Sequence, residues 1–156
     1  MEWLEPLSQT MVARALTVSP TVYLLVNAAH IMAIGALFGA ILSLDLRILG
    51  MFATVPLQSL ALFLSRIAAS GAVLAVLTGL CLFSVRPQEY AQNPAFLAKV
   101  SLVAFGVAHA LAVHRTAGWR AILAGGTAPA PLRFSALLSS LIWISAIVAG
   151  RWIGFL

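Results

Sequence analysis

Four apolar stretches, Thr21–Leu42, Ile67–Val85, Ala95–His114 and Phe134–Gly150, alternate with short polar connections along the chain. At ~1.5 Å rise per residue, a run of about 17–25 apolar residues crosses a hydrocarbon layer ~30 Å thick. The pattern therefore predicts an all-α protein, an integral membrane four-helix bundle forming a single transmembrane domain over residues 1–156. Ahead of the first stretch, Trp3, Leu4, Leu7, Met11 and Leu16 recur near helical spacing. That segment is expected to form a short amphipathic helix at the interface, with Trp3 at headgroup level and Pro20 marking the break before the first span. Glu2 and Glu5 stand where a cleavable signal peptide would carry positive charge, so it is not read as one.

The connections carry their own signals. Ser43-Leu-Asp-Leu-Arg47 closes the first span, and Gly50 and Pro56 interrupt the chain before the second. The amphipathic stretch Gln58–Ser65 is expected to lead obliquely into the second helix, leaving Arg66 near the interface. The link Pro87–Pro94 is short, which predicts that helices two and three are antiparallel neighbours. The connection holding Trp119, Arg120, Gly125-Gly126, Pro129 and Pro131 is longer, and its first half is expected to make an interfacial helical turn. Arg151-Trp152 forms an anchor pair at the end of the fourth span.

Composition agrees with a lipid environment. The chain is 62% hydrophobic and 8% charged, with a mean hydropathy of +1.05; a soluble domain holds about 25% charged residues. The net charge of +5 comes from nine scattered basic residues with no interleaved aromatic cluster, so no nucleic-acid partner is expected. Cys81, the sole cysteine, lies inside a span and reads as an apolar filler. Arg47, Arg66, Arg115, Arg120 and Arg133 fall on one side, and Arg14, Arg86, Lys99 and Arg151 on the other. This small bias predicts both termini on the non-cytoplasmic side of a bacterial inner membrane.

A few polar residues at membrane depth are the candidates for chemistry. Tyr23, Asn27 and His30 share one face of the first span with Ile34, Leu37 and Ile41. Such a stripe is expensive against lipid and should point into the bundle. Ala28, Gly35 and Gly39 form a small-residue strip on another face, a Gly-x-x-x-Gly expected to let a second helix approach closely. His109, on the third span one turn after Gly106, is the natural partner for His30. His114 lies ~140° around the helix from His109 and reads as interfacial.

Two histidines on different helices suggest bis-imidazole ligation of haem b, with Arg66 and Arg115 as propionate partners. Counted from the outer ends of the spans, His109 lies roughly 7 Å deeper than His30. The alternative is that each imidazole is polar glue, bonded to a hydroxyl or a carbonyl. Asp45 is expected to pair with Arg66, the alternative being a cation-entry or proton-relay carboxylate facing a cavity, and Lys99 to snorkel toward the headgroups. Ser70, Cys81 and Ser84 on helix two and Ser135 and Ser139 on helix four read as packing positions. No zinc-protease, nucleophile-elbow, C-x-x-C or phosphate-loop motif occurs.

The stretch from His30 through Gly35 and Gly39 to Asp45 and Arg47 resembles a pattern in small bacterial inner-membrane families. In these, a first-span histidine precedes a glycine-rich stretch and a terminal arginine. It is distantly similar to the copper-resistance D group and to haem-containing protoporphyrinogen-oxidase-like bundles. The whole chain more closely resembles an uncharacterised bacterial four-span inner-membrane family. The resemblance implies a redox or copper-handling role with His30 as the carried-over ligand. Met32 and Met51 form no methionine set, and Asn27 stands where the oxidase-like group has a second basic residue. Three functions follow: an electron-transfer bundle with a membrane redox partner, a non-catalytic anchor or scaffold subunit, and a small copper or solute permease acting as a homo-oligomer.

Overall fold

A computed structural model describes residues 4–155. The elements are α1 (Glu5–Ser8), α2 (Met11–Val18), α3 (Pro20–Ile48), α4 (Leu57–Phe83), α5 (Pro87–Gln92), α6 (Pro94–His114), α7 (Ala117–Leu123) and α8 (Ala130–Trp152), ending in a 3-10 turn, Ile153–Phe155. No strand occurs among the described residues. The long helices α3, α4, α6 and α8 are each apolar and long enough to cross a bilayer. Their outer faces carry large apolar side chains such as Met32, Phe105 and Phe134, the surface that lipid covers.

Capping chemistry sets the boundaries. The Ser19 hydroxyl accepts from Val22 N, and Pro20 occupies the first turn of α3, where a missing N–H costs nothing. Asn93 Oδ1 accepts from Ala95 N and Phe96 N at 3.0 and 3.1 Å, and Pro94 opens α6 in the same way. At the other end of α3, Gly50 adopts φ +107°. Its N–H meets Arg47 O while Met51 N–H reaches back to Leu46 O, the paired closure that a left-handed residue permits. The first two spans are longer than the apolar runs that announced them. α3 continues as helix through Asp45 and Arg47 to Ile48, and α4 starts at Leu57, so Arg66 sits well inside it. Arg47 Nε and Nη2 donate to Val55 O and Ala53 O, bracing the loop between them.

The N-terminal segment is amphipathic, as expected, but forms two helices, because Thr10 caps a new one at Met11. Ala13 and Leu16 on α2 are buried, and α2 packs against α3 and α4. The interfacial position expected for Trp3 lies outside the described residues. α7 is the helical turn foreseen between the third and fourth spans. It tucks Trp119 and Ile122 under the bundle among Leu44, Ile48, Leu57, Ala61, Leu132 and Ala136.

The packing order was not legible in the connections. α3 packs along α4 and crosses α8, while α6 packs along α8, so the four spans form a horseshoe ordered α4–α3–α8–α6. Helices two and three, expected to be neighbours because their link is short, do not pack along their length. Their link is the separate helix α5, and Phe83, Tyr90 and Phe96 stack at that end with centroids 5.4–6.2 Å apart. Burial pushes the Tyr90 phenol above the usual tyrosine range, reinforced by Tyr23 and opposed by Arg86. At the opposite end, His114 Nε2 meets Ser65 Oγ at 3.3 Å. Between these two ties the horseshoe is open.

Close helix approach uses a different glycine from the one the motif suggested. A Cβ on Gly71 of α4 would stand 2.8 Å from Leu37 N and 2.9 Å from Ala33 O, so here two backbones touch. Gly35 and Gly39 face outward with nothing within 4 Å.

Candidate functional site

The two membrane histidines occupy different helix pairs. His30 is half-buried between α3 and α4, its Nδ1 2.9 Å from Thr78 Oγ1. The Thr78 proton is already given to Leu74 O at 2.6 Å, so His30 Nδ1–H donates to Thr78. Gly79 leaves room for the ring, since a Cβ there would stand 3.1 Å from His30 Cε1. His109 is half-buried between α6 and α8, its Nε2 2.9 Å from Ser135 Oγ. Gly106 does not flank this imidazole as expected. It accommodates the Trp143 indole, whose Cζ2 would lie 2.9 Å from an added Cβ.

The haem site expected between helices one and three is thus not assembled within this chain. α3 and α6 are not packed partners, and the two rings share no cavity. Arg66 and Arg115, the expected propionate partners, are both exposed and line no part of the site. The residues present do not fit a bis-histidine haem. Among the described residues no group of three or more His, Cys, Asp or Glu is placed to hold a metal ion. Asn27 and His30 are half-buried but Tyr23 is exposed at the α5 end, so the polar stripe expected to point into the bundle does so only in part.

Asp45 is the principal correction. It does not pair with Arg66; the ion pair found among the described residues is Arg86–Glu89, an exposed contact at 3.3 Å. Because α3 runs on past Leu42, Asp45 turns toward α8 and is buried there, 6% exposed. Its Oδ2 accepts from Ser140 Oγ at 3.2 Å, and Ser139 approaches the same carboxyl. Taking a carboxyl out of water without a cationic partner is costly, and in a membrane such residues mark function by default.

These groups converge on one cavity of about 410 Å³ on the α7 half of the horseshoe. Asp45, Ser65, His109, His114, Ser135, Ser139 and two tryptophans, Trp119 and Trp143, are among its lining residues; leucine, isoleucine, valine and alanine make most of the wall. Trp143 is 4% exposed, and its Nε1 has no hydrogen-bond partner among the described residues. An unpaired buried N–H costs about 1–3 kcal/mol. The mouth lies between α4 and α6, where Ala68, Ala69 and Ala72 face Val107, Ala110 and Leu111. Toward the α5 end the cavity stops. Ala33 and Leu37 are buried against Gly71, and Leu37 is the last α3 residue in the wall, two turns (about 10 Å) short of His30. His30 does not line this cavity.

Sequence reasoning singled out His109 as a ligand candidate, Asp45 as an ion-pair residue and Ser135 and Ser139 as packing positions, and passed over Ser140 and Trp143. The spacing Ser135, Ser139, Trp143 places all three on one face of α8, a signal readable in retrospect. A wider hollow of about 770 Å³ lies at the α5 end, lined by Tyr23, Arg86, Glu89, Tyr90 and Asn93. There Arg86 and Glu89 satisfy each other and Asn93 is spent as a cap.

Comparison with known proteins gives a family and no activity. The family model that matches covers residues 2–156 and is described as a family of unknown function (DUF6644). No curated protein and no solved structure matches the chain.

Proposed function

The chain belongs to this family of unknown function, and from that premise we propose that it binds a small lipophilic molecule in its lateral cavity, admitted from the bilayer between α4 and α6. Four apolar helices make it a multi-pass membrane protein. The observation that carries the finer reading is a largely apolar cavity whose lining includes Asp45, His109 and Trp143, the last with a buried Nε1–H that has no hydrogen-bond partner among the described residues. Buried donors are normally satisfied, so an open one in a cavity wall calls for an acceptor from outside the chain. The α7 end carries Arg47, Arg66, Arg115, Arg120 and Arg133, so we orient it to the cytoplasm of a bacterial inner membrane, with both termini outside.

The test is photolabelling in nanodiscs with an alkyl diazirine. Labelling is expected to concentrate on the α4 and α6 residues at the mouth and to fall when Ala69→Trp fills it, while the outer faces of α3 and α8 keep theirs. Labelling spread evenly over all outer faces, unchanged by Ala69→Trp, overturns the reading. So does a Soret band in the purified protein that His30→Ala and His109→Ala each abolish.

A further inference from the structure

We propose that the molecule this cavity takes is an alkyl quinone or its hydroquinone, with the ring held between Trp143 and the Asp45–His109 wall and the tail leaving between α4 and α6. The inference rests on the cavity being a ligand site and adds the chemical class of the ligand.

Three groups set the demand. Trp143 Nε1–H is a donor only and has nothing to give to. His109 spends Nε2 on Ser135, leaving Nδ1 without a partner among the described residues. Asp45 holds Ser139 and Ser140 and offers its remaining acceptor capacity to the cavity. On α8 the residues Ser135, Ser139 and Trp143 follow at four-residue steps, each a rise of ~6 Å. That step is comparable with the span of a six-membered ring carrying oxygens at opposite positions. One ring oxygen then accepts from Trp143, while the other faces Asp45 and His109. As a quinone it accepts at both ends; as a hydroquinone it donates to Asp45.

The same groups argue against other lipophiles. A fatty acid or phospholipid headgroup brings a negative charge toward Asp45, and no lysine or arginine lines the cavity to meet it. A lipophilic cation suits Asp45 but leaves the Trp143 N–H without an acceptor and meets two histidines, His109 and His114, in the wall. A plain hydrocarbon leaves all three groups unpaired. The small side chains of Ala68, Ala69 and Ala72 on α4 leave room for a flat head and a thin tail.

The experiment measures the rise in unfolding temperature of the full chain in nanodiscs on titration with decyl-benzoquinone, decyl-hydroquinone, decylbenzene and decyltrimethylammonium, since a ligand that binds only the folded state raises it by mass action. Both oxygenated probes are expected to bind at least tenfold more tightly than decylbenzene. Trp143→Phe, which keeps the ring and removes the donor, is expected to weaken the quinone about tenfold, with decylbenzene unchanged. Asp45→Asn is expected to weaken the hydroquinone more than the quinone. Equal binding of all four probes, insensitive to Trp143→Phe, overturns the ligand class and leaves the cavity reading standing. Tighter binding of the ammonium probe, abolished by Asp45→Asn, overturns it in favour of a cation site. Binding of none of them, together with even photolabelling, sinks both readings. Far-ultraviolet circular dichroism of each variant keeps a folding failure from passing as a binding result.

Discussion

Replacing Gly71 by alanine tests the helix order on which the cavity depends. The added methyl would stand 2.8 Å from Leu37 N, 2.9 Å from Ala33 O and 3.1 Å from Leu37 Cα. All three are backbone atoms of α3, so no side chain can rotate away and the two helices must part. Overpacking of this kind costs about 1–3 kcal/mol. Alanine regains up to ~1 kcal/mol of helix propensity, leaving a net loss of roughly 1–2 kcal/mol. Gly35→Ala and Gly39→Ala meet nothing within 4 Å and keep only the propensity gain, so each is expected to be neutral or stabilising by up to ~1 kcal/mol. The assay is reversible unfolding in mixed micelles by increasing dodecyl sulfate fraction, followed by helicity. The ordering expected is Gly71→Ala below wild type, and Gly35→Ala and Gly39→Ala at or above it. The reverse ordering would mean that α3 meets its neighbour through the Gly-x-x-x-Gly face and that the horseshoe is wrong.

Three further outcomes follow from local geometry. A double-mutant cycle of His30→Ala and Thr78→Val should return a coupling of about 0.5–1 kcal/mol, the usual worth of one hydrogen bond between membrane helices; a coupling of zero would mean that the imidazole bonds elsewhere. Asn93→Ala should cost about 1 kcal/mol and speed amide exchange at Ala95 and Phe96, whose N–H groups it caps, while the last turn of α6 is untouched. Tyr90 carries a pH signature: its folded-state value lies above the unfolded 10.0, so its contribution is intact below pH 10 and is lost as pH rises through the folded value. Phenolate absorbance should therefore show a late-titrating component that Tyr90→Phe removes, and melting temperatures in strong alkali should fall less in that variant.

Much of the candidate site was visible residue by residue and invisible as an arrangement. Asp45, His109, Ser135 and Ser139 are conspicuous because polar groups are rare at membrane depth. The expected partners failed for one common reason. Helical periodicity fixes the azimuth of a residue on its own helix, but not which helix stands at that azimuth. Asp45 turned to Ser140 instead of Arg66, and His30 to Thr78 instead of His109. Trp143 drew no notice because an apolar span readily includes a tryptophan; only its burial beside a void makes its N–H an unmet demand.

The chain by itself determined four spans and their polar ends, because backbone groups in lipid must bond within their own helix and long apolar runs can then only be helices. It also determined the amphipathic N-terminal segment, where water on one side still sorts residues by polarity. Tertiary structure alone decided that α3 rather than α6 is the neighbour of α4, that Gly71 rather than Gly35 or Gly39 makes the close contact, and that α4 and α6 leave a mouth between them. In a bilayer the inner and outer faces of a helix are almost equally apolar. Hydrophobicity therefore stops reporting which face is buried, and close fit together with a few hydrogen bonds chooses the partners.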